Sequence, residues 1–308
     1  MKRLIPISLL ASGLIWTAVA QEKGLSPSLA SLVETERAFA RTSVEKGVRD
    51  SFLMFFADDG INFRPHPTNT REALMKTPAP TSPSPNTLNW TPILADVSRA
   101  GDLGYTTGPY WITERQSPEK PPLQNGYFFS IWKKQARGDW KVVLDLGIST
   151  PAPASPTIPP FRAARQVRVS PSGESLDAQR KSLLELDRSF SETARAKGTV
   201  AAFLGSLNDE ARMYRNGLMP FPGKEAIRAF LSRTTALLTC EPLKSDVSSS
   251  GDLGYTYGKY EIKGAPSTPQ TIEKGYYVRM WKRTQARKWE IVLDVTTALP
   301  AESGASGQ

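Results

Sequence analysis

The sequence predicts an α+β protein in which one module of about 120 residues occurs twice in tandem. Three observations carry this: a long internal repeat, a helix-first then strand-rich order of hydrophobic periods inside each copy, and a proline-rich stretch between the copies. The repeat is clearest in ADVSRAGDLGYTTGPY (95–110), which aligns without a gap on SDVSSSGDLGYTYGKY (245–260) with 11 of 16 positions identical. Upstream, Leu32 to Phe39 matches Leu183 to Phe190. Downstream, Gly126-Tyr127, Trp132, Trp140 and Asp145 match Gly275-Tyr276, Trp281, Trp289 and Asp294. Self-similarity at a near-constant offset means two copies of one structural unit joined head to tail.

Each copy opens on a helical stripe. Leu29, Leu32, Val33, Glu36, Phe39, Ala40 and Ser43 recur at helical spacing, with Ser26 or Ser28 able to cap the start and Gly47 able to end it. Leu176, Leu183, Leu184, Asp187, Phe190 and Ala194 repeat the stripe up to Gly198. A shorter apolar helix follows in each copy, around Phe52 to Phe56 and Phe203 to Leu207. The period then changes to two, and Ile61 to Arg64, Trp90 to Ser98, Leu103 to Thr113, Tyr127 to Lys133 and Trp140 to Ile148 read as strands. Helices first and antiparallel strands afterwards place the helices on one face of a curved sheet.

The flanking segments read differently. Residues 1–20 combine a basic start at Lys2 and Arg3, an apolar run from Leu4 to Trp16, and Ala18-Val19-Ala20, the small-x-small pattern of signal-peptidase cleavage. The apolar run is shorter than the ~20 residues a membrane span needs. The expected organisation is therefore a signal peptide at 1–20, a first module at 21–150, a linker at 151–174, a second module at 175–300 and a disordered tail at 301–308, with the protein periplasmic or secreted. The linker region, Pro151 to Ser175, contains six prolines and reads as an extended spacer. Thr77 to Thr87 has no counterpart in the second copy and reads as an inserted surface loop.

Composition limits the function classes. Without Lys2 and Arg3 the chain carries 37 basic and 30 acidic residues, a net of +7. The densest basic group, Lys282, Arg283, Arg287 and Lys288, falls in an expected hairpin turn, as do Lys133, Lys134 and Arg137. That pattern reads as solvated turns and not as a nucleic-acid stripe. The single cysteine, Cys240, cannot form an internal disulfide. The single histidine, His66, sits between Pro65 and Pro67; with one histidine, no His-based metal site is expected, and no cofactor fingerprint is present.

The order helix, short helix, strand, Glu-Ala helix (Glu72-Ala73, Glu225-Ala226), GDLGYT, then a terminal W-x-[VI]-V-L-D strand resembles the nuclear-transport-factor-2-like superfamily. Within it, the likeness is to secreted SnoaL-like bacterial proteins of unknown function. It covers nearly all of 28–149 and 178–297. The resemblance implies cone-shaped α+β barrels, a bent sheet wrapped on helices and often a pocket at the open end, and a tendency to pair. It does not decide function, because the superfamily holds isomerases, dehydratases and non-catalytic members alike.

Candidate site residues come from the chain itself. Glu36 and Asp187 fall in the middle of apolar helix stripes, where a carboxylate is costly unless it is paired, hydrogen-bonded or protonated. Arg64 and Arg215, at the ends of matching strands, are one expected set of partners and Trp or Tyr hydrogen bonds the other, and Glu36, Asp187, Arg64 and Arg215 are the candidate catalytic set. Asp145 and Asp294 lie on the last strand of each copy. Simple alternation puts Trp140, Val142, Leu144 and Leu146 on one face of that strand, with Val143 and Asp145 on the other. With them, Trp90, Tyr110, Tyr127, Trp132, Tyr260, Tyr276 and Trp281 are candidate ligand-binding residues. The expected partner is a small apolar or aromatic ligand held in a cone. The alternatives are a SnoaL-like isomerase, cyclase or dehydratase using a pocket carboxylate, and a non-catalytic interaction protein. No nucleic-acid partner and no membrane span are expected, and the copies should form an intramolecular pseudo-dimer or the chain a homodimer. N-terminal sequencing of the exported protein should return Gln21; an intact Met1 outside the cytoplasm would remove the signal-peptide reading.

Overall fold

The computed structural model describes residues 24–300 apart from 156, 168, 170–172, 234 and 265–269. The expected signal segment and tail lie outside the described residues. Helix α1 (Pro27–Lys46) starts where Ser26 accepts from the Leu29 amide, and ends at Gly47, whose φ of 89° few other residues adopt. Helix α2 (Val48–Phe55) follows at once, then β1 (Phe56–Phe63), β2 (Pro67–Asn69) and α3 (Thr70–Lys76), which Asn69 caps. The meander is β3 (Asn86–Trp90), β4 (Leu94–Val97), β5 (Leu103–Glu114), β6 (Gln124–Lys134) and β7 (Trp140–Thr150). The second copy repeats this order. It runs α4 (Leu176–Lys197), α5 (Thr199–Ser206), β9 (Leu207–Tyr214), β10 (Phe221–Pro222), α6 (Lys224–Leu231), β11 (Leu237–Val247), β12 (Leu253–Lys263), β13 (Thr271–Arg283) and β14 (Trp289–Ala298).

With β8 the short strand Arg162–Ala163, the sheets are ordered β2-β1-β7-β6-β5-β4-β8, with β3 also on β5, and β10-β9-β14-β13-β12-β11. Strand β8 is the middle of the expected spacer. It pairs parallel to β4, so this proline-rich stretch is extended but also docked. The single strand expected over Trp90 to Ser98 is broken into β3 and β4 around Pro92, whose missing N–H cannot join the ladder. In the second copy β11 is continuous across a bulge near Leu243.

Each helix layer covers one sheet face. The cone cores join Leu32, Phe39, Trp132 and Val142 in the first module, and Leu183, Phe190, Phe203 and Ile291 in the second. A third core lies between the modules, where Tyr105, Phe129, Ile131, Leu144 and Leu146 meet Tyr255, Val278, Met280, Leu293 and Val295. Simple alternation along β7 does not hold. Ile131 pairs Leu144 but Trp132 pairs Val142, so Val143 is an extra residue. This bulge turns the strand over. Trp140 and Val142 face the first cone, whereas Leu144 and Leu146 face the other module. Strand β14 does the same at Val292, because Met280 pairs Leu293 and Trp281 pairs Ile291.

The GDLGYT blocks explain themselves in this frame. Gly101 turns the hairpin at φ 71°, and a Cβ there would meet Ser28 Oγ at 2.4 Å. Asp102 accepts from Ser98 Oγ at 2.7 Å and from the Ser249 amide of the second module at 2.8 Å. Reciprocally, Asp252 accepts from the Arg99 amide at 3.0 Å. Leu103 and Tyr105 enter the shared core, Gly104 lets Leu32 approach, and Thr106 points into the cone.

The basic turns are not simply solvated. Lys133 Nζ reaches Asp246 at 2.6 Å, and Lys282 Nζ reaches Asp96 at 2.6 Å, one bridge in each direction across the same interface. Arg283 is buried over the Trp289 ring. The two bridges differ in their surroundings. Asp246 also binds Arg180 at 2.7 Å, which with Lys133 holds its carboxyl below the usual range despite burial. Asp96 has no second cation among the described residues, only Gln166 Nε2 and the Val97 amide, and burial raises it. Lys282→Met should therefore destabilise the protein by about 3 kcal/mol, because it strands a fully buried carboxylate. Lys133→Met should cost less than about 1 kcal/mol, since the Lys133 side chain is partly solvated and Asp246 keeps Arg180. Urea unfolding of the two variants decides; equal costs would mean that Asp96 finds another partner.

Candidate functional site

Both cones hold a carboxylate on the long helix, as the stripes imply, but each solves its burial differently. In the first, Glu36 is fully buried. Trp90 Nε1 donates to its Oε1 at 2.6 Å, while Thr106 Oγ1 and Trp132 Nε1 donate to Oε2 at 2.5 and 2.9 Å. No cation lies within ion-pair distance among the described residues. Burial pushes Glu36 up to about 7 against these three donors, and nearby Asp145 adds to the rise. Asp145 is placed in this cone by the β7 bulge, accepts from Ser130 Oγ at 2.7 Å, and is partly accessible. Burial pushes it up to about 6, opposed by Ser130 and by the charge of Arg64.

In the second cone the position of Ser130 is occupied by Arg279, fully buried on β13. Its Nη1 binds Asp187 and its Nε binds Asp294 at 2.8 Å, with the guanidinium stacked 3.8 Å over the Phe190 ring. Tyr277 donates to Asp187 at 2.7 Å, and Cys240 accepts from Arg279 Nη2 at 3.2 Å. Burial pushes the Cys240 thiol up to about 11. Arg215 Nη2 binds the other Asp294 oxygen at 2.6 Å. Burial would raise Asp294, but Arg215 and Arg279 outweigh it and hold the carboxyl below the usual range. Asp is one methylene shorter than Glu, and the Trp281 indole, which corresponds to Trp132, donates to Thr256 at 2.9 Å instead of to a carboxylate.

The expected pairing is therefore corrected. Arg64 does not meet Glu36 and Arg215 does not meet Asp187; each arginine lies near the aspartate of the last strand, Asp145 or Asp294. The reason is geometric: β1 and β9 run parallel beside β7 and β14, so their ends reach the bulged strand and not the helix. Arg279 was missed because a strand arginine reads as solvent-facing, although its register partner Asp294 on an inward position was a usable signal.

The aromatic candidates separate into three groups. Trp90, Trp132 and Trp281 are cone-core residues whose indoles hydrogen-bond inside. Tyr110 and Tyr260 lie across Gly126 and Gly275 at the cone mouths. Tyr127 and Tyr276 lie on the opposite face, near the other module: Tyr127 packs on Tyr214 at 5.6 Å between centroids, and Tyr276 OH meets His66 Nδ1 at 2.9 Å. The second mouth opens as a cavity of about 280 Å³, walled by Phe203, Phe230, Leu238 and Ile262. Arg215, Tyr260 and Thr296 also line it, and the Tyr260 hydroxyl donates to Glu273 at 2.6 Å.

No family model matches the chain, and no curated protein does. Solved structures similar to it include a nuclear-transport-factor-2-like protein with a cystatin-like fold from Novosphingobium aromaticivorans, at 16% identity over 42% of this chain and 88% of that one, TM-score 0.35. Another is a protein of the same kind, of unknown function, from Pseudomonas putida, at 17% over 42% and 93%, TM-score 0.33. A third is a ketosteroid isomerase-like protein from Erwinia carotovora, at 13% over 39% and 95%, TM-score 0.32. The chain itself shows two helices packed on one face of a bent, mainly antiparallel sheet, an arrangement built twice. Its chemistry rests on its own side chains.

The two cones predict different acid–base behaviour. A carboxyl whose folded pKa is raised binds more protons in the folded state, so its contribution is complete below the unfolded value near 4.5 and is lost as pH rises through 7. Between pH 4.5 and 7.5 the stability difference between the wild type and Glu36→Gln should shift by about 3 kcal/mol in favour of the variant. Asp187→Asn should instead destabilise at neutral pH, since it leaves Arg279 short of one carboxylate. Denaturant unfolding across that pH range tests both; a flat difference for Glu36→Gln would show that its carboxyl ionises normally.

Proposed function

We propose that this is an exported protein whose paired modules bind a small, mainly apolar molecule at the mouth of the second cone. The observation that supports the reading is the cavity of about 280 Å³ with aliphatic and aromatic walls, on which the Tyr260 hydroxyl and the Arg215 guanidinium border. Apolar walls with a few convergent polar groups are the usual construction of a small-molecule site. The charges at its base are balanced, two carboxylates against two arginines, and Glu273 on its wall is engaged by the Tyr260 hydroxyl, so the ligand is taken to be uncharged and to offer one hydrogen-bonding group. The face-to-face packing of the modules acts as an intramolecular dimer that holds the cones in place. Among the described residues no helix is long and apolar enough to cross a membrane.

A second reading, proton transfer in the first cone, is favoured by one observation: Asp145 is partly accessible, with its carboxyl pushed up to about 6. A general acid or base needs direct reach to its substrate and a pKa near the working pH. Glu36 is fully buried, so in this reading it positions and tunes while Asp145 touches the substrate, with Arg64 at the rim.

Calorimetric titration with 2-naphthol, a two-ring phenol, tests the binding reading. Saturable binding is expected, weakened about tenfold by Tyr260→Phe through loss of one buried hydrogen bond, and abolished by Ile262→Lys. Binding that ignores both changes would place the ligand elsewhere; turnover lost on Asp145→Asn with folding intact would favour the second reading.

A further inference from the structure

The two modules carry matching clefts at opposite ends of their interface, and the clefts have diverged. In the first module, Pro109 and Trp111 on β5 pair with Tyr127 and Asn125 on β6. Their side chains share the parity of Tyr105 and Thr107, which face the second module. The linker beyond β7 passes opposite them with Pro153, Ile158 and Pro159, and Met219 of the second module closes one end. About 380 Å³ remains open between these walls. No charged side chain lines the cleft among the described residues. At the same register positions the second module has Lys259 and Glu261, paired with Tyr276 and Lys274. Its cleft is also bordered by Arg195 and Glu241.

The second copy acts as an internal control. The fold is the same there, yet charged residues occupy the positions of Pro109 and Trp111, so neither fold nor interface demands apolar side chains at this place. Seating the linker would account for apolar residues only if the linker filled the cleft, and it does not. We propose that the first module's cleft is a second binding site, distinct from the cone mouth, for an uncharged planar apolar molecule held between Trp111 and Tyr127 on one side and the proline strap on the other. Aromatic and proline rings offer flat, stiff walls, so stacking a planar ligand there orders few side chains. The uncharged lining disfavours an ionised ligand, whose lost hydration nothing in the cleft replaces.

The test is a fluorescence titration of the full-length protein with N-phenyl-1-naphthylamine, a neutral aromatic probe whose emission rises in apolar surroundings. Saturable binding should weaken at least tenfold in Trp111→Glu and several-fold in Met219→Lys, which changes an exposed residue and leaves folding intact even if the first variant does not fold. Ile262→Lys, at the cone mouth, should leave this binding unchanged. Affinity that ignores Trp111→Glu and Met219→Lys but is lost in Ile262→Lys would overturn this site while supporting the cone. Absence of saturable binding to the wild type would overturn it as well, whatever 2-naphthol does. Loss in Trp111→Glu and Met219→Lys together with no 2-naphthol binding would leave this site standing and the cone reading refuted.

Discussion

Each sheet here is apolar on both faces, and a sheet with two apolar faces has to be covered twice. The helices cover one face and the other module covers the second, so neither copy can be satisfied alone. The bulges at Val143 and Val292 make this arrangement workable. Without them, Trp140, Val142, Leu144 and Leu146 would all compete for one side of β7. With them, the first pair packs in the cone, the second pair packs between modules, and Asp145, between Leu144 and Leu146, is turned inward. The carboxylates of the last strands thus enter the cones through the same local irregularity that builds the interface.

The cones then differ by charge balance. The first holds two carboxyl groups and one arginine at its rim, and burial raises both carboxyls because the hydrogen bonds and the rim arginine do not offset it. The second holds two carboxylates and two arginines in one connected network. A network of that kind is costly to desolvate but tolerates no single deletion, so it fixes geometry more than it adds stability. Ser130 in one copy and Arg279 in the other account for most of the contrast. Where the serine stands, a partly accessible carboxyl is left ready to exchange a proton. Where the arginine stands, the base of the cone is locked, and the apolar mouth above it is the part left open.

Much of the fold was legible in the sequence because the repeat removes ambiguity: helix stripes, caps at Ser26, Gly47 and Gly198, and the strand meander follow from periodicity and turn chemistry. The odd carboxylates at Glu36 and Asp187 were legible for the same reason, as single polar residues on apolar stripes. Their partners were not. An indole N–H is silent in a hydropathy pattern, so Trp90 and Trp132 read as candidate ligand-binding residues, with nothing to single them out as the donors to Glu36. Alternation along a strand cannot reveal a bulge, so Leu144 and Asp145 were assigned to the wrong sides. The basic turns looked solvated because nothing in one copy shows that the other copy's Asp96 or Asp246 will lie opposite. In each case the missing information was contact between segments far apart in the chain.

Tandem duplication gives those contacts a freedom that a homodimer lacks. In a dimer of identical chains every substitution appears at both symmetry-related places, so a buried arginine that balances one cone would enter the other as well. Joined copies can differ. The interface keeps its reciprocity, with Asp102 and Asp252 exchanging backbone hydrogen bonds and Lys133 and Lys282 exchanging ion pairs, because both copies need the same second cover. Elsewhere the constraint lapses: Ser130 corresponds to Arg279, Trp90 to Cys240, and Trp111 to Glu261. The pattern of what has stayed equal and what has not separates scaffold from chemistry within a single chain. What differs between the copies is concentrated in three places, the first cone with its raised carboxyls, the mouth of the second cone, and the uncharged cleft beneath the linker.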